Sequence, residues 1–252
     1  MLQTVTDSAL STPPRLNVRA DALFLDLDGT LVDFAAHPEH VIASDDLRAL
    51  LVELARAMNG AVALITGRRI ASADAVLDGV LVHVAGVHGF ERRNANGVAP
   101  SIGDTSRIAG AAADAQAMVR AGALDADIEN KGAALALHYR RAPHEAGRVR
   151  RAAAQLAQRH GLSVLEGKSV IELTLGLRTK GDAIADFMAD APFAGRAPIA
   201  IGDDVTDEDA FASVRALHGR GVLVGPIRPT AAAHRLDDVA AVIAWLTAGL
   251  CA

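Results

Sequence analysis

Short apolar runs alternate with amphipathic stretches along most of the chain. Such runs are typical of buried parallel strands, and apolar stripes with a period of about 3.6 residues are typical of helices. The pattern predicts strands at 22–27, 61–65, 81–85, 198–201 and 221–224, and helices at 45–58, 69–78 and 239–250, with a further helix after residue 181 and another after the strand at 198–201. Strands that alternate with helices predict a parallel sheet covered by helices on both faces.

The pattern changes in the middle of the chain. A helix is predicted at 106–121, followed by two pairs of strands within 127–140 and 162–175 and a helix at 144–159 between them. Strands that follow one another without a crossover helix favour an antiparallel sheet. The fold class is therefore α/β: a doubly wound, Rossmann-like parallel-sheet core at 21–104 and 178–252, interrupted by a smaller inserted α+β domain at 105–177. Residues 1–20 contain two prolines and no periodicity, and we expect a flexible leader there.

Composition narrows the class of protein. Of 252 residues, 51% are hydrophobic and 22% are charged, which excludes a disordered protein. The net charge of −5 gives no electrostatic basis for binding nucleic acid. The single cysteine excludes an internal disulfide, the first twenty residues lack a signal peptide, and the uncharged stretch at 239–252 is too short to span a bilayer. We expect a cytoplasmic monomer with no membrane partner.

Two carboxylates follow the first predicted strand, in the segment Asp26-Leu-Asp28-Gly-Thr30. Open parallel sheets bind ligands at the carboxyl ends of their strands. There, Asp26 could attack a phosphorus atom while Asp28 moves a proton on or off the leaving oxygen. A polar turn in which aspartate side chains bond the backbone is the alternative interpretation.

An acidic segment follows the predicted strand at 198–201. It places five carboxylates within residues 203–209, which repel one another unless a cation lies among them. Hard oxygen ligands suit Mg²⁺. The alternative is a solvated acidic helix start, capped by Thr206 or Asp207.

Two weaker signals lie at other predicted strand ends and helix starts. Thr66-Gly-Arg68 follows the second strand, where a hydroxyl and backbone N–H groups suit a phosphoryl group. Lys180 begins the helix after the inserted domain and could place a positive charge beside the same phosphate. A turn without function and a solvated lysine are the commoner cases.

Taken together, these segments resemble the haloacid dehalogenase superfamily of phosphatases. Its four motifs match, in order, at Asp26-x-Asp28-Gly-Thr30, Thr66, Lys180 and Gly202-Asp203-Asp204-x-x-Asp207. The segments Gly86-Val-His-Gly89, Glu129-Asn-Lys-Gly132 and 202–207 further resemble the trehalose-6-phosphate phosphatase family. The resemblance runs from about residue 21 to the C-terminus. Thr66 departs slightly from the pattern, since serine is more common there, but either residue supplies a hydroxyl.

The resemblance implies an Mg²⁺-dependent phosphomonoester hydrolase that converts trehalose 6-phosphate to trehalose and phosphate. Asp26 is then the nucleophile that forms an aspartyl-phosphate, and Asp28 the acid and base. Thr66 and Lys180 hold the phosphoryl oxygens. The metal ligands implied are Asp26, Asp28 through its backbone carbonyl, and Asp203, with Asp204 or Asp207 either bound directly or lying just behind.

The resemblance also makes the inserted domain a cap that closes over the sugar. Glu129, Lys131 and Glu172 match positions that grip sugar hydroxyls, and Arg68 and His88 complete the substrate pocket. Glu129 and Lys131 lie two residues apart on a strand, so their side chains share a face. The alternative is an exposed ion pair of little energetic value. Lys168 is a candidate cap contact or a turn lysine.

Other functions remain open from the sequence alone. A phosphatase of the same superfamily could act on another sugar phosphate, such as sucrose 6-phosphate, and a phosphomutase is not excluded. A non-catalytic domain that senses phosphosugars or binds a partner is a hypothesis of another class, because fold does not imply function. The presence of Asp26, Asp28, Asp203 and Asp207 argues against that class, since a non-catalytic copy would be free to lose them.

Overall fold

The computed structural model of the protein describes residues 10–33, 41–99, 104–167, 169–176 and 178–251. They form two compact units. The first runs to Ala99 and resumes at Thr179, and the second lies between Pro100 and Arg178. The first contains a large, mainly parallel sheet and the second a smaller antiparallel sheet, which confirms the predicted fold class. Among the described helices, none has the length and apolar character needed to cross a membrane.

The strands fall close to the predicted positions, with three additions. In chain order they are β1 (Asp21–Leu25), β2 (Val62–Ile65), β3 (His83–Gly86), β4 (Glu91–Asn94), β5 (Gly97–Ala99), β6 (Asp127–Asn130), β7 (Ala134–His138), β8 (Ser163–Gly167), β9 (Val170–Thr174), β10 (Ala197–Gly202), β11 (Arg220–Val224) and β12 (His234–Leu236). The strands that the sequence pattern did not predict are β4, β5 and β12. They lie at the two edges of the large sheet, where a strand needs no long apolar run.

The helices also follow the predicted stripes. They are α1 (Asp45–Ala57), α2 (Ile70–Leu77), α3 (Ser106–Arg120), α4 (Ala146–His160), α5 (Lys180–Met188), α6 (Glu208–Ala216) and α7 (Val239–Leu250). Ser44 caps α1 as its spacing suggests, since its hydroxyl accepts the N–H of Leu47 at 3.2 Å. Leu47, Leu51 and Leu54 of α1 are buried, as the apolar stripe requires.

The large sheet has the strand order β12-β11-β10-β1-β2-β3-β4-β5. Strand β1 lies at its centre and pairs in parallel with β10 on one side and β2 on the other. Every residue of β1 is buried, because helices cover both faces of a parallel sheet. The loops that follow β1, β2 and β10 therefore emerge side by side at one edge of the sheet.

Part of the expected leader packs against the first unit. Leu16 is buried in the core, and the backbone carbonyl of Pro14 accepts the indole N–H of Trp245 at 3.1 Å. Gly249 of α7 leaves room for Leu16, since a Cβ at that glycine would lie 2.8 Å from the leucine Cβ. Residues 10–20 thus differ from the expectation of a flexible segment. The reason is tertiary: their contacts are with the far end of the chain, which local periodicity does not reveal.

In the second unit, the antiparallel sheet has the strand order β6-β7-β9-β8. The apolar side chains on one face join α3 and α4 in a separate hydrophobic core that includes Leu135, Leu137, Ile171 and Leu173. Because side chains alternate along a strand, the opposite face carries the intervening residues. That face presents Ala134, Ala136, His138, Glu172 and Thr174, a mixture of small and polar groups.

Candidate active site

The predicted catalytic residues follow neighbouring strands of the large sheet. Asp26 follows β1, Thr66 follows β2 and Asp203 follows β10, and β1 lies between the other two. The carboxyl ends of parallel strands share one edge, so these three residues begin loops at the same edge. The sheet topology thus places the predicted motifs of the first unit together.

Lys180 lies between two carboxylates of this edge. Its Nζ donates to Asp26 Oδ1 at 2.7 Å and to Asp207 Oδ1 at 2.6 Å, and all three side chains are buried. The lysine is the first residue of α5, whose N-terminus is fixed by reciprocal bonds between Thr179 and Asp182. The helix start thereby fixes the backbone from which the ammonium group reaches the two aspartates.

A third carboxylate, that of Asp203, completes an acidic group. Ligand oxygens of Asp26, Asp203 and Asp207 all lie within 4.8 Å of one another. Burial and the like charges of Asp207 and Asp203 raise the pKa of Asp26 well above its usual value, against the opposing effect of Lys180. Burial lowers the pKa of Lys180, but Asp207 and Asp26 more than offset this and raise it. Burial is the largest cause of the shift in the pKa of Asp26, whereas the rise in the pKa of Lys180 comes from the two carboxylates around it. The three carboxylate oxygens are a donor set that suits a hard divalent cation.

The side chains of Asp28 and Asp204 do not belong to this acidic group, because each bonds a different partner. The Asp204 carboxylate accepts the N–H of Val205 at 2.7 Å and begins the 3₁₀ turn Val205–Asp207, while Asp207 Oδ2 accepts the N–H of Asp204 at 3.0 Å. Asp204 therefore caps the 3₁₀ turn with its side chain, whereas Asp207 occupies the N-cap position of α6 without a side-chain capping bond there. Gly202 is required here, because a Cβ on it would lie 2.2 Å from Asp207 Cγ.

Asp28 is held by Arg68, which the sequence assigned to the substrate pocket. Arg68 donates through Nε and Nη2 to the two carboxylate oxygens of Asp28, each at 2.6 Å. A two-point arrangement of this kind fixes the plane of the carboxylate as well as its position. About a quarter of the Asp28 side chain is exposed, so the carboxylate remains accessible.

The loop that carries Thr66 packs against the loop that carries His88. The Thr66 hydroxyl accepts the N–H of Arg68 at 3.1 Å, and the Thr66 carbonyl accepts the N–H of His88 at 3.1 Å. Gly67 makes room for the imidazole, since a Cβ there would lie 2.8 Å from His88 Cε1. Val87 and His88 both adopt left-handed backbone conformations, with φ of 47° and 54°. Two such residues in succession, one of them β-branched, indicate a loop held in a strained shape by its contacts.

In the second unit, Lys131 and Glu172 form a buried ion pair. Lys131 Nζ donates to Glu172 Oε1 at 2.5 Å, and both side chains are only 7% exposed. Lys131 follows β6 and Glu172 lies on β9, and β7 separates these strands. The alternative interpretation, an exposed ion pair of little energetic value, is therefore wrong for these two residues. A charge pair this deeply buried must be well satisfied or it destabilises the fold.

Glu129 lies near this pair and has a partner that the sequence analysis missed. His138 Nε2 lies 2.9 Å from Glu129 Oε2, across the β6–β7 pairing. Burial raises the pKa of Glu129, but the hydrogen bond from His138 and the charge of Lys131 outweigh this and lower it. Strand β7 alternates small or polar residues with leucine, and that period of two would have placed His138 on the face of Ala134 and Ala136. Lys168 lies outside the described residues.

Comparison with known proteins finds similarity over most of the chain. A family model described as Trehalose-phosphatase matches residues 24–240. A trehalose-6-phosphate phosphatase of Escherichia coli (strain K12) is 40% identical over 238 residues, which cover 94% of this chain and 89% of that protein. A probable trehalose-phosphate phosphatase of Sinorhizobium fredii is also 40% identical, over 86% of this chain and 82% of that one.

Solved structures show the same fold. The C-terminal domain of a C. albicans trehalose-6-phosphate phosphatase superimposes with a TM-score of 0.80 at 22% identity, covering 97% of this chain and 99% of that one. A trehalose-6-phosphate phosphatase related protein gives a TM-score of 0.74 at 24% identity, with 89% and 95% covered. At these identities the likeness is evidence for the fold alone. The family match over most of the chain is decisive, and the chain belongs to the trehalose-phosphatase family.

Proposed function

We propose that the protein hydrolyses trehalose 6-phosphate to trehalose and inorganic phosphate. The observation that carries the proposal is the buried group in which Lys180 bonds Asp26 and Asp207 beside Asp203. A nucleophilic carboxylate, a fixed ammonium and further carboxylates for a cation are the parts that phosphoryl transfer needs. Membership of the trehalose-phosphatase family supports the choice of substrate.

In the first step, an oxygen of Asp26 attacks phosphorus and the bond between phosphorus and the sugar oxygen breaks. Asp28 donates a proton to the leaving sugar oxygen, and an aspartyl-phosphate remains on Asp26. In the second step, Asp28 takes a proton from water, the water oxygen attacks phosphorus, and phosphate leaves with Asp26 restored. Arg68 supports this role, because its two bonds orient the Asp28 carboxylate.

The metal in this proposal is Mg²⁺, which Asp26, Asp203 and Asp207 would hold together with the backbone carbonyl of Asp28, while Asp204 shapes the loop. When bound, it supplies positive charge that offsets repulsion between the carboxylates and the phosphoryl oxygens. Lys180 supplies a second positive charge there, and Thr66 offers its hydroxyl to a phosphoryl oxygen. His88 belongs to the same pocket through its contact with the Thr66 loop.

Recognition of the sugar is assigned to the second unit, which serves as the cap. Lys131, Glu172 and Glu129 offer one ammonium and two carboxylates on one face of the small sheet. Sugar hydroxyls both donate and accept hydrogen bonds, and a polar site built for them rejects analogues that leave its groups unpaired.

The test is phosphate release from a panel of sugar phosphates, each with Mg²⁺ and with excess chelator. A large preference for trehalose 6-phosphate that disappears with chelator is the expected result. Equal metal-dependent turnover of sucrose 6-phosphate and other sugar phosphates would contradict only the assignment of trehalose recognition to the second unit. The proposed phosphatase chemistry of the first unit would remain. If no sugar phosphate is hydrolysed, the proposal of a phosphatase is wrong, and the hypothesis of a non-catalytic domain that senses phosphosugars replaces it.

A further inference from the structure

The loop that follows β11 carries an arginine directed at the acidic loop. Arg228 Nη2 donates to the backbone carbonyl of Asp204 at 2.7 Å and, at the longer distance of 3.4 Å, to that of Asp203. Its Nη1 bonds the carboxylate of Glu208, the first residue of α6. One guanidinium group therefore joins two consecutive peptide groups of the acidic loop to the start of the next helix.

Glu208 is itself fixed by the loop to which Arg228 belongs. Its Oε2 accepts the N–H of Ala231 at 2.7 Å and the hydroxyl of Thr230 at 3.2 Å. The side chains of Arg228 and Glu208 are each about three-quarters buried. Glu208 is bonded both by Arg228 and by the residues that follow it in the same loop. Its carboxylate therefore holds the guanidinium group in place beside the two carbonyls.

These carbonyls control the direction of a metal-ligating side chain. The orientation of a peptide group fixes the backbone dihedrals on either side of it, and these set where the attached Cβ points. The contacts of Asp207 with Lys180, Gly202 and the N–H of Asp204 restrain the far end of the loop. Arg228 restrains the near end, at the peptide groups that leave Asp203 and Asp204.

The charge of Arg228 does not substitute for a metal. Its positive charge is paired with Glu208, and its other hydrogen bonds from Nη1 and Nη2 go to carbonyl oxygens rather than to the carboxylates of Asp26, Asp203 and Asp207. Its contribution is therefore geometric. Replacing a residue that orients a metal ligand without binding the metal itself typically changes metal affinity or activity by about 10–100-fold.

We propose that Arg228 is a positioning residue for the divalent-metal site, which sets the orientation of Asp203 through the carbonyls of residues 203 and 204. This inference rests on the proposed function, in that it takes the acidic group as the metal site. It assigns a role to a residue 24 positions away from Asp204 in sequence, in a loop that no motif of the sequence analysis included.

The test is calorimetric titration of substrate-free protein with Mn²⁺, a readout that does not depend on turnover. Arg228→Gln is expected to weaken binding about tenfold or more. Arg228→Lys keeps the charge but not the planar fork, so it is expected to show an intermediate loss. Arg220→Gln is the matched control. Arg220 is similarly buried and is paired with Asp21 at 2.8 Å, but it lies at the amino ends of the strands, and its replacement is expected to leave the affinity within about twofold.

Two results would overturn the inference. Wild-type affinity in folded Arg228→Gln and Arg228→Lys proteins would show that Arg228 does not orient Asp203. Equal losses in Arg228→Gln and Arg220→Gln would show a general loss of stability instead. A folded wild-type protein that binds no Mn²⁺ is a different failure, because it removes the proposed metal site itself.

Discussion

Each unit of the protein buries a lysine among carboxylates, and the two clusters differ in their charge balance. Lys180 in the first unit donates to two aspartates, with a third close by. Lys131 in the second unit is matched to one glutamate, Glu172. The three carboxylates of the first cluster exceed its one lysine by two negative charges, whereas the second cluster has a smaller excess, since one further carboxylate, that of Glu129, lies beside the Lys131–Glu172 pair and is bonded by His138.

This difference in charge matches the two chemical parts of the proposed substrate, a charged phosphoryl group and a neutral sugar. A phosphoryl group approaching carboxylates needs added positive charge, which explains why the group around Lys180 suits both a metal and phosphate. Neutral sugar hydroxyls need donors and acceptors in balance, which a lysine–glutamate pair supplies. In the proposed function, the cluster with the larger excess of negative charge therefore takes the metal and the phosphoryl group, and the other cluster takes the sugar.

The largest expected effect is on the nucleophile. Asp26→Asn replaces a nucleophilic carboxylate with an amide, so turnover of trehalose 6-phosphate should fall on the order of 10³-fold or more while the protein stays folded. Phosphate release and circular dichroism measure the two properties. Asp45→Asn, at an almost fully exposed position in the first turn of α1, is the control and should retain full activity. Near-wild-type turnover by Asp26→Asn would contradict the assignment of the nucleophile.

The charge comparison itself is tested by removing each lysine. Breaking a buried ion pair from one side costs about 3–5 kcal/mol of unfolding free energy. Lys180→Gln strands two carboxylates and should reach the upper end of that range, whereas Lys131→Gln strands one and should reach the lower end. Urea unfolding in the presence of chelator measures both.

The control for the lysine pair is Arg56→Gln, which breaks an exposed ion pair with Glu53 and should leave the unfolding midpoint unchanged. An equal or smaller loss for Lys180→Gln than for Lys131→Gln would contradict the interpretation that the first cluster carries the greater excess of negative charge.

A smaller and more selective effect is expected at Glu172. Hydrogen bonds to charged groups are worth about 1.5–3 kcal/mol, so Glu172→Gln should lower kcat/KM for trehalose 6-phosphate by roughly 10–100-fold. Turnover of p-nitrophenyl phosphate, which lacks sugar hydroxyls, should fall much less. Glu166→Gln, a half-exposed position on neighbouring β8, serves as the control. Equal losses on both substrates would place Glu172 outside sugar recognition.

The smallest effect is expected at His138. His138→Ala removes the hydrogen bond to Glu129 but leaves the carboxylate, so KM for trehalose 6-phosphate should rise about 3–10-fold with kcat unchanged. His138→Gln retains a side-chain donor and should restore much of the affinity. The exposed His144→Ala is the matched control. A drop in kcat without a change in KM would show that His138 acts on the chemistry rather than on Glu129.

The sequence predicted the strands of the sheet interior better than those at its edges. Strand β1 is a run of apolar residues, because both of its faces are buried, and the pattern is visible without any partner. Strand β4 is Glu-Arg-Arg-Asn, half-buried and antiparallel to β3, and nothing in its local pattern marks it as a strand. Strands near the edge of the sheet, such as β4 between β3 and the edge strand β5, depend on the neighbours that pair with them, so local sequence predicts them poorly.

The candidate site divides in the same way. Asp26, Thr66 and Asp203 could be predicted because each directly follows a recognisable strand, and parallel topology brings the strand ends together. The contact of Arg68 with Asp28 could not be predicted, because it joins residues 40 positions apart through the course of two loops. His138 and Arg228 are further cases, since their roles depend on strand register and on the path of the loop after β11.

The sequence by itself determined the fold class, the order of all its elements except β4, β5 and β12, and the residues proposed to carry phosphoryl transfer. The fold class and its elements depend on short-range periodicity, and the site residues lie in motifs a few residues long whose roles the resemblance to a known family implied. Only the tertiary structure decided which charges pair: Lys180 with two aspartates, Lys131 with Glu172, Arg68 with Asp28 and Arg228 with the acidic loop. Ion pairs and hydrogen bonds form between atoms within about 3 Å, and only the folded chain brings residues distant in sequence to that separation.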